Sequence, residues 1–275
     1  MAGHKRKARD SNDEIDLGPS VRGPPSTGQG HRDAAEEALN KCFFEGFVKE
    51  PECAEIWNCL TAMHPYIVKW GRFRAPVKSR PKLNFGIAND QGEFPLYSWG
   101  QVVADYSKIE PMPPPVRALG ARIEKVFGHS AGYLNHALAT FYWNGLDQHI
   151  PQHQDKAVDR CSRGRVESKT PIYNVAFGAV RPFIFTDLQC LGKKTRKEIA
   201  QYIVKEIPMP SGSMVVLHPE INTQFAHGVP QDRLITELRI SLVLRHCDRN
   251  WVKPGKYYYR VAPSGKKGAQ TPIPA

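Results

Sequence analysis

The stretch Glu237-Leu-Arg239-Ile-Ser241-Leu-Val243-Leu-Arg245 alternates without a break. Leu238, Ile240, Leu242 and Leu244 fall on one face of an extended chain, and Arg239, Ser241, Val243 and Arg245 on the other. A sustained period of two is the pattern of a β-strand whose apolar face lies on a core. Two arginines leave the second face in the same direction. A solvated strand has that look. So does a grip on a carboxylate, because a guanidinium offers two parallel N–H donors matched to one carboxylate group.

Outward from this strand, the same period runs back to about Gly132. It predicts strands at 134–144, 171–178, 182–186, 202–207, 213–218 and 236–246, separated by Gly, Pro and charged loops. Before Gly132 the period is helical. Ala38, Leu39, Cys42, Phe43 and Phe47 predict a helix within 34–57, broken at Gly46 and Pro51. Val116, Leu119, Ile123, Val126 and Phe127 predict another between Pro111 and Phe127. Helices followed by a run of strands give the α+β class. No internal repeat is visible.

The 275 residues fit one globular domain with tails. Residues 1–33 are polar and rich in Gly, Pro and Ser, a composition too poor in apolar surface to fold. A basic run, Lys5-Arg6-Lys7-Ala8-Arg9, lies within it and reads as a solvated cluster, a nucleic-acid tether or a nuclear address. The domain is expected over 34–260 and a second tail over 261–275. Lysine and arginine number 38 against 27 acids, a net charge of +11, which favours a polyanionic partner such as nucleic acid. No stretch reaches the roughly 20 apolar residues of a membrane-spanning helix, so no membrane partner is expected and the chain reads as an intracellular, monomeric protein. The six cysteines show no CxxC pairing and read as reduced thiols.

The remaining signal is His149-Ile-Pro-Gln-His153-Gln-Asp155. On an extended backbone His153 and Asp155 leave the same face, so both can hold one ion. Two imidazoles and one carboxylate occupy one face of an octahedron around Fe(II) and leave three positions for 2-oxoglutarate and dioxygen. His218 and His227, both after the expected strand Ser213–Leu217, compete for the third place, and spacing alone does not separate them. An isolated His-x-Asp is usually a surface turn, so the motif gains weight only from what surrounds it.

Taken in order, Thr140-Phe-Tyr142, His153-Gln-Asp155, Pro171-Ile172, Gly212-Ser-Met-Val-Val, His227 and Arg239 through Arg245 resemble the AlkB family of Fe(II)- and 2-oxoglutarate-dependent dioxygenases, most of all its eukaryotic duplex-DNA repair members. The similarity covers about 82–245. It implies a double-stranded β-helix, or jelly roll, supported by N-terminal helices. It also implies Fe(II) on His153, Asp155 and His227, and a co-substrate, 2-oxoglutarate, held by Thr140, Tyr142, Arg239 and Arg245. Dioxygen completes the reactants, and the implied activity is oxidative dealkylation of N-methylated bases in DNA, of the N1-methyladenine and N3-methylcytosine type.

Thr140 stands where the family usually has Asn, and Ser241 and Val243 where it has Asn and Thr. Ala157 replaces an acid that reads the base in the bacterial relative, leaving Asp159 as a substitute. The family's nucleotide-recognition lid corresponds to about 70–100, where Phe73, Arg80, Lys82, Phe85, Tyr97 and Trp99 interleave cations and rings suited to phosphates and to a flipped base. Competing readings are an RNA demethylase or protein hydroxylase of the same chemistry, and a non-catalytic nucleic-acid-binding module.

Overall fold

The structure is a computed structural model that describes residues 29–65, 80–95, 98–99, 102–103, 109–155, 170–193, 196–247 and 251–253. The first half supplies helices and short strands: α1 (Gln29–Asn40), β1 (Phe43–Phe44), α2 (Glu52–Thr61), β2 (Lys82–Gly86), β3 (Phe94–Pro95), β4 (Ser98–Trp99), β5 (Val102–Val103), β6 (Ile109–Pro111) and α3 (Pro114–Val126). The second half is strand-rich: β7 (His136–Tyr142), β8 (Ile150–His153), β9 (Ile172–Gly178), β10 (Arg181–Asp187), α4 (Arg196–Ala200), β11 (Ile203–Met209), β12 (Met214–Leu217), α5 (Pro219–Gln224), β13 (Phe225–Val229), β14 (Arg239–Arg245) and β15 (Trp251–Val252).

Two facing sheets form the body. The larger runs β1-β12-β9-β14-β7-β2-β6 and the smaller β11-β10-β13-β8. The opening stretch of the sequence analysis is β14, at the centre of the larger sheet between β7 and β9. Its Ile240, Leu242 and Leu244 join Leu83, Phe85, Phe141, Tyr173, Val175 and Phe177 on the outer face, where α2 and α3 cover them. Burying a Leu or Ile side chain stabilises by about 1.5–3 kcal/mol, so this layer fixes which face of each strand turns outward. Helix α3 suits its place. Prolines at its first positions arrive with φ already set, and Val116, Leu119 and Ile123 line one buried face. The opposite face of β14 is not solvated: Arg239, Ser241 and Arg245 are buried between the two sheets. There Tyr142, Ile172, Ala176, Val215 and Leu217 of the larger sheet meet Phe183, Phe185, Ile207, Phe225 and Val229 of the smaller.

The structure departs from expectation at several places. Helix α1 begins at Gln29, inside the segment expected to be an unstructured tail, and buries Ala35 and Leu39 against the inner core. Instead of one helix with a break, β1 lies between α1 and α2 and adds an edge strand next to β12. Strands β2, β8 and β13 were not expected. β8 contains Pro151 and β13 contains Gly228, both poor strand formers on their own. The tails 1–28 and 254–275 lie outside the described residues. Among the described residues no helix is long and apolar enough to cross a membrane.

Candidate active site

His153 ends β8, Asp155 follows in the loop, and His227 sits in the middle of β13 directly opposite His153 in the antiparallel register. The pairing of those two strands therefore brings the imidazoles together, with ring centroids 4.5 Å apart. The ligand atoms of the three side chains lie within 4.8 Å of one another. Nε2 of His153 is 3.6 Å from one Asp155 oxygen, and Nε2 of His227 is 3.7 Å from the other. His153 Nδ1 donates to the Pro151 carbonyl at 2.9 Å. A carbonyl only accepts, so Nδ1 carries its proton and Nε2 is the ring nitrogen turned toward Asp155. Phe183 stacks on the His227 ring at 5.4 Å and fixes its plane.

The protonation states suit metal binding. Burial, and then the charges of His153 and Arg245, push His227 down to about 3 against the pull of Asp155, so its imidazole is neutral at physiological pH. Burial raises the Asp155 carboxyl, but the hydrogen bond from His153 and the positive groups around it outweigh this and hold it well below the usual carboxylate range. Neutral imidazole and ionised carboxylate are the forms that ligate a divalent ion. His218 stands just before α5, apart from this group.

The loop position of Asp155 is set by Asn222, which the sequence analysis missed. Asn222, buried in α5, donates from Nδ2 to the Asp155 carbonyl at 2.7 Å and accepts from the Asp155 N–H at 2.9 Å. Gln154 adds bonds to the carbonyls of Asn222 and Thr223 at 2.8 and 3.1 Å. Nothing in the sequence marks Asn222, because its partner lies 67 residues away.

Arg239 and Tyr142 are opposite each other on β14 and β7. Both are buried, and the guanidinium carbon of Arg239 lies 5.2 Å from the Tyr142 ring centre. None of the three Arg239 guanidinium nitrogens, nor the Tyr142 hydroxyl, has a hydrogen-bond partner within the described protein. Burial lowers the Arg239 pKa while Tyr142 works the other way. A buried cation without an acceptor is costly, and a carboxylate beside it removes the cost. The pocket therefore fits the distal carboxylate of 2-oxoglutarate. Thr140 and Ser241 are the next cross-strand pair inward. Lys82 Nζ lies 3.4 Å from Thr140 Oγ1, and Ser241 Oγ lies 2.6 Å from Asn174 Oδ1. Arg245, at the far end of β14, contributes its charge to both Asp155 and His227 and so lies on the metal side.

The residues expected to meet the base divide. Arg80 is tied to the carbonyl of His149, just before β8. Lys82 points inward and is buried, and burial together with Arg80 and Arg245 pulls its pKa down to about 7. Phe85 is a correction. It is fully buried in the outer core, so it is not available to stack on a base. Trp99 contributes backbone to β4, and its side chain lies outside the described residues, as do Phe73, Tyr97, Ala157 and Asp159.

A jelly roll with a two-histidine, one-carboxylate cluster carried by two paired strands, and a buried Arg–Tyr pocket between the sheets, is the architecture of a non-haem iron oxygenase. The profile of the 2OG-Fe(II) oxygenase superfamily matches residues 40–245, and the chain belongs to that family, on its AlkB branch. The family's requirements are Fe(II), 2-oxoglutarate and dioxygen. Among curated proteins the chain is 28% identical over 136 residues to the DNA oxidative demethylase ALKBH2 of Mus musculus, covering 50% of this chain and 52% of that protein. It is 27% identical over 210 residues to the alpha-ketoglutarate-dependent dioxygenase alkB homolog 3 of Homo sapiens, covering 74% and 65%. The match thus spans about half the length of the ALKBH2 relatives. A solved structure of OsALKBH1 aligns with TM-score 0.44 and 12% identity over 74% of this chain and 95% of that one, a likeness too loose to carry an argument.

Proposed function

We propose that the protein is a 2-oxoglutarate-dependent dioxygenase that removes alkyl groups oxidatively from nucleic acid, with N-methylated bases of DNA as its substrates. The observation that carries this reading is the coexistence of His153, Asp155 and His227 within one ligand sphere and the unpartnered Arg239 in the same barrel. A binding module has no use for both. The net charge of +11 and the similarity to proteins named DNA oxidative demethylases support the nucleic-acid target.

When iron, 2-oxoglutarate and dioxygen are bound, they supply the oxidant that hydroxylates the N-alkyl carbon, and the resulting hemiaminal releases an aldehyde and the repaired base. The chain's part is positioning. His153, the neutral His227 and the ionised Asp155 would hold the metal. Arg239 and Tyr142, whose guanidinium nitrogens and hydroxyl find no hydrogen-bond partner among the described residues, would hold the distal carboxylate, and Thr140 and Arg245, further along the same face of the paired strands, would lie toward the metal. Phe183, Phe185 and Phe225 exclude water behind the histidine.

The test is succinate release coupled to mass spectrometry of the base. Its substrates are single- and double-stranded DNA carrying N1-methyladenine or N3-methylcytosine, the matching RNA, and methylated histone peptide. Turnover on DNA at least tenfold faster than on RNA or peptide is the expected result. Faster turnover on RNA or peptide replaces the substrate while keeping the chemistry, and no turnover by the iron-loaded protein on any of them refutes the reading.

A further inference from the structure

Arg181 is a buried cation that the chemistry above does not use. It opens β10 in the smaller sheet, is 1% exposed, and places its guanidinium carbon 5.2 Å from the Tyr142 ring of the larger sheet. Nη1 donates to the Gln148 carbonyl and Nη2 to the Pro230 carbonyl, each at 2.7 Å, while Nε has no partner within the described protein. Gln148 lies just before β8 and Pro230 just after β13, the strands that carry His153 and His227. The two loops are also zipped to each other by Gly145 N–H to the Ile235 carbonyl at 2.8 Å and Asp232 N–H to the Gly145 carbonyl at 3.0 Å. A Cβ at residue 145 would sit 2.0 Å from the Asp232 oxygen, so only glycine allows that approach. Arg181 is therefore held rigidly, and its charge cannot swing out to solvent.

Arg239 lies the same 5.2 Å from the same phenol ring. Two buried guanidiniums thus share one tyrosine. Burial first, and then the charge of Arg239, lowers the Arg181 pKa to about 10, with Tyr142 and Asp232 opposing, so Arg181 stays protonated at neutral pH. A 2-oxo acid with a second carboxylate brings a negative charge into this pair. A 2-oxo acid without one does not, yet has the same oxo-carboxylate end for the metal.

We infer that Arg181 is a positioning residue for the co-substrate: it holds Tyr142 in place and supplies a second fixed positive charge by which the pocket selects dianionic over monoanionic 2-oxo acids. This rests on the reading of the Arg239–Tyr142 pocket as the 2-oxoglutarate site. Arg239 makes the direct contact, and Arg181 acts through the field and through Tyr142. A unit charge fixed within about 10 Å, at the effective dielectric of a protein interior, changes the affinity for a carboxylate by about tenfold.

The experiment is anaerobic calorimetric titration of the Mn(II)-loaded protein with 2-oxoglutarate and with 2-oxopentanoate, which has the same carbon chain and no distal carboxylate. The proteins compared are the wild type, Arg181→Gln, Arg181→Lys and Arg239→Met. Arg181→Gln is expected to weaken 2-oxoglutarate about tenfold and 2-oxopentanoate less than twofold, whereas Arg181→Lys, which restores the charge, keeps the wild-type preference to within about threefold. A merely structural Arg181 would weaken both acids alike in Arg181→Gln, and that result, or no change in either, overturns the inference. If Arg181→Gln does not fold, Arg181→Lys decides alone: preference retained supports the role of the charge, and preference lost overturns it. Arg239→Met tests the underlying reading separately, since undiminished 2-oxoglutarate binding there means the pocket lies elsewhere.

Discussion

Replacing Asn222 by Asp changes one atom and should cost the protein its metal. The Asn222 amide forms a closed pair with the backbone of Asp155, donating at 2.7 Å and accepting at 2.9 Å. Asn222→Asp keeps the acceptor but sets a second oxygen against the Asp155 carbonyl at the distance of the lost bond, turning attraction into repulsion. Asn222→Ala loses both bonds without the repulsion. Each neutral hydrogen bond contributes about 1 kcal/mol net, and a buried group left unsatisfied costs about 1–3 kcal/mol. The Asp155 side chain is 21% exposed, so water replaces part of the loss in the alanine variant, and about 2 kcal/mol is the expected destabilisation there. The more telling effect is on the ion, because the amide fixes where the carboxylate stands relative to His153 and His227. Loss of such an outer partner lowers metal affinity by about 10–100-fold, with Asn222→Asp the worse of the two. Anaerobic titration with Fe(II), or with Mn(II) as a stand-in, gives the affinity, and urea unfolding gives the stability independently. Folded Asn222→Asp protein that binds Fe(II) within twofold of the wild type would refute the claim that Asn222 places the ligand.

Substituting alanine for His153, Asp155 or His227 should abolish iron binding and 2-oxoglutarate turnover, whereas His218→Ala should retain the iron. Atomic absorption of purified protein checks this, and the reverse pattern for His218 and His227 would reassign the ligand. Arg239→Lys should raise the 2-oxoglutarate concentration for half-maximal succinate release by about tenfold or more, since a point charge does not reproduce a planar two-bond grip; an unchanged dependence removes Arg239 from the pocket. Lys82 predicts a pH effect. Its folded pKa of about 7 lies below the roughly 10.4 of an unfolded lysine, so the unfolded chain binds the extra proton between those values and stability rises as pH increases from 7 towards 10. Lys82→Met should lose that rise and be the more stable protein at pH 7, by a few kcal/mol at most. Melting curves at pH 7 and 9 test it, and equal slopes for the two proteins refute it.

β14 was legible because alternation is a local property and its leucines leave no doubt about the strand. The fate of its arginine face was not legible, since a solvated face and an interior pocket share one pattern, and only the second sheet, contributed by residues 150–229, decides between them. The choice between His218 and His227 turned on register: His227 is the residue opposite His153, and register is fixed by the pairing of two strands too short and too irregular to be seen in the sequence. Lys82 and Phe85 obey the parity of an extended strand. They are three residues apart on β2, so they cannot both face the site, and the core places Leu83 and Phe85 under the helices with Lys82 and Asn84 inward. Asn222 and Arg181 carried no signal, because Asn222 acts on backbone atoms and Arg181 is anchored by them, and no sequence records such contacts.

β8 is an edge strand: its neighbour is β13, and among the described residues no strand flanks it on the other side. Among the described residues its ladder with β13 has two paired positions, His153 with His227 and Ile150 with Val229, with a slip in between, and Pro151 has no N–H to offer. An ion bound by His153 on one strand and His227 on the other would thus also be a rivet across a thinly paired seam between two strands. Iron supply and the closure of that seam would then be one variable, since whatever binds the folded pair of strands and not the open one favours the closed arrangement.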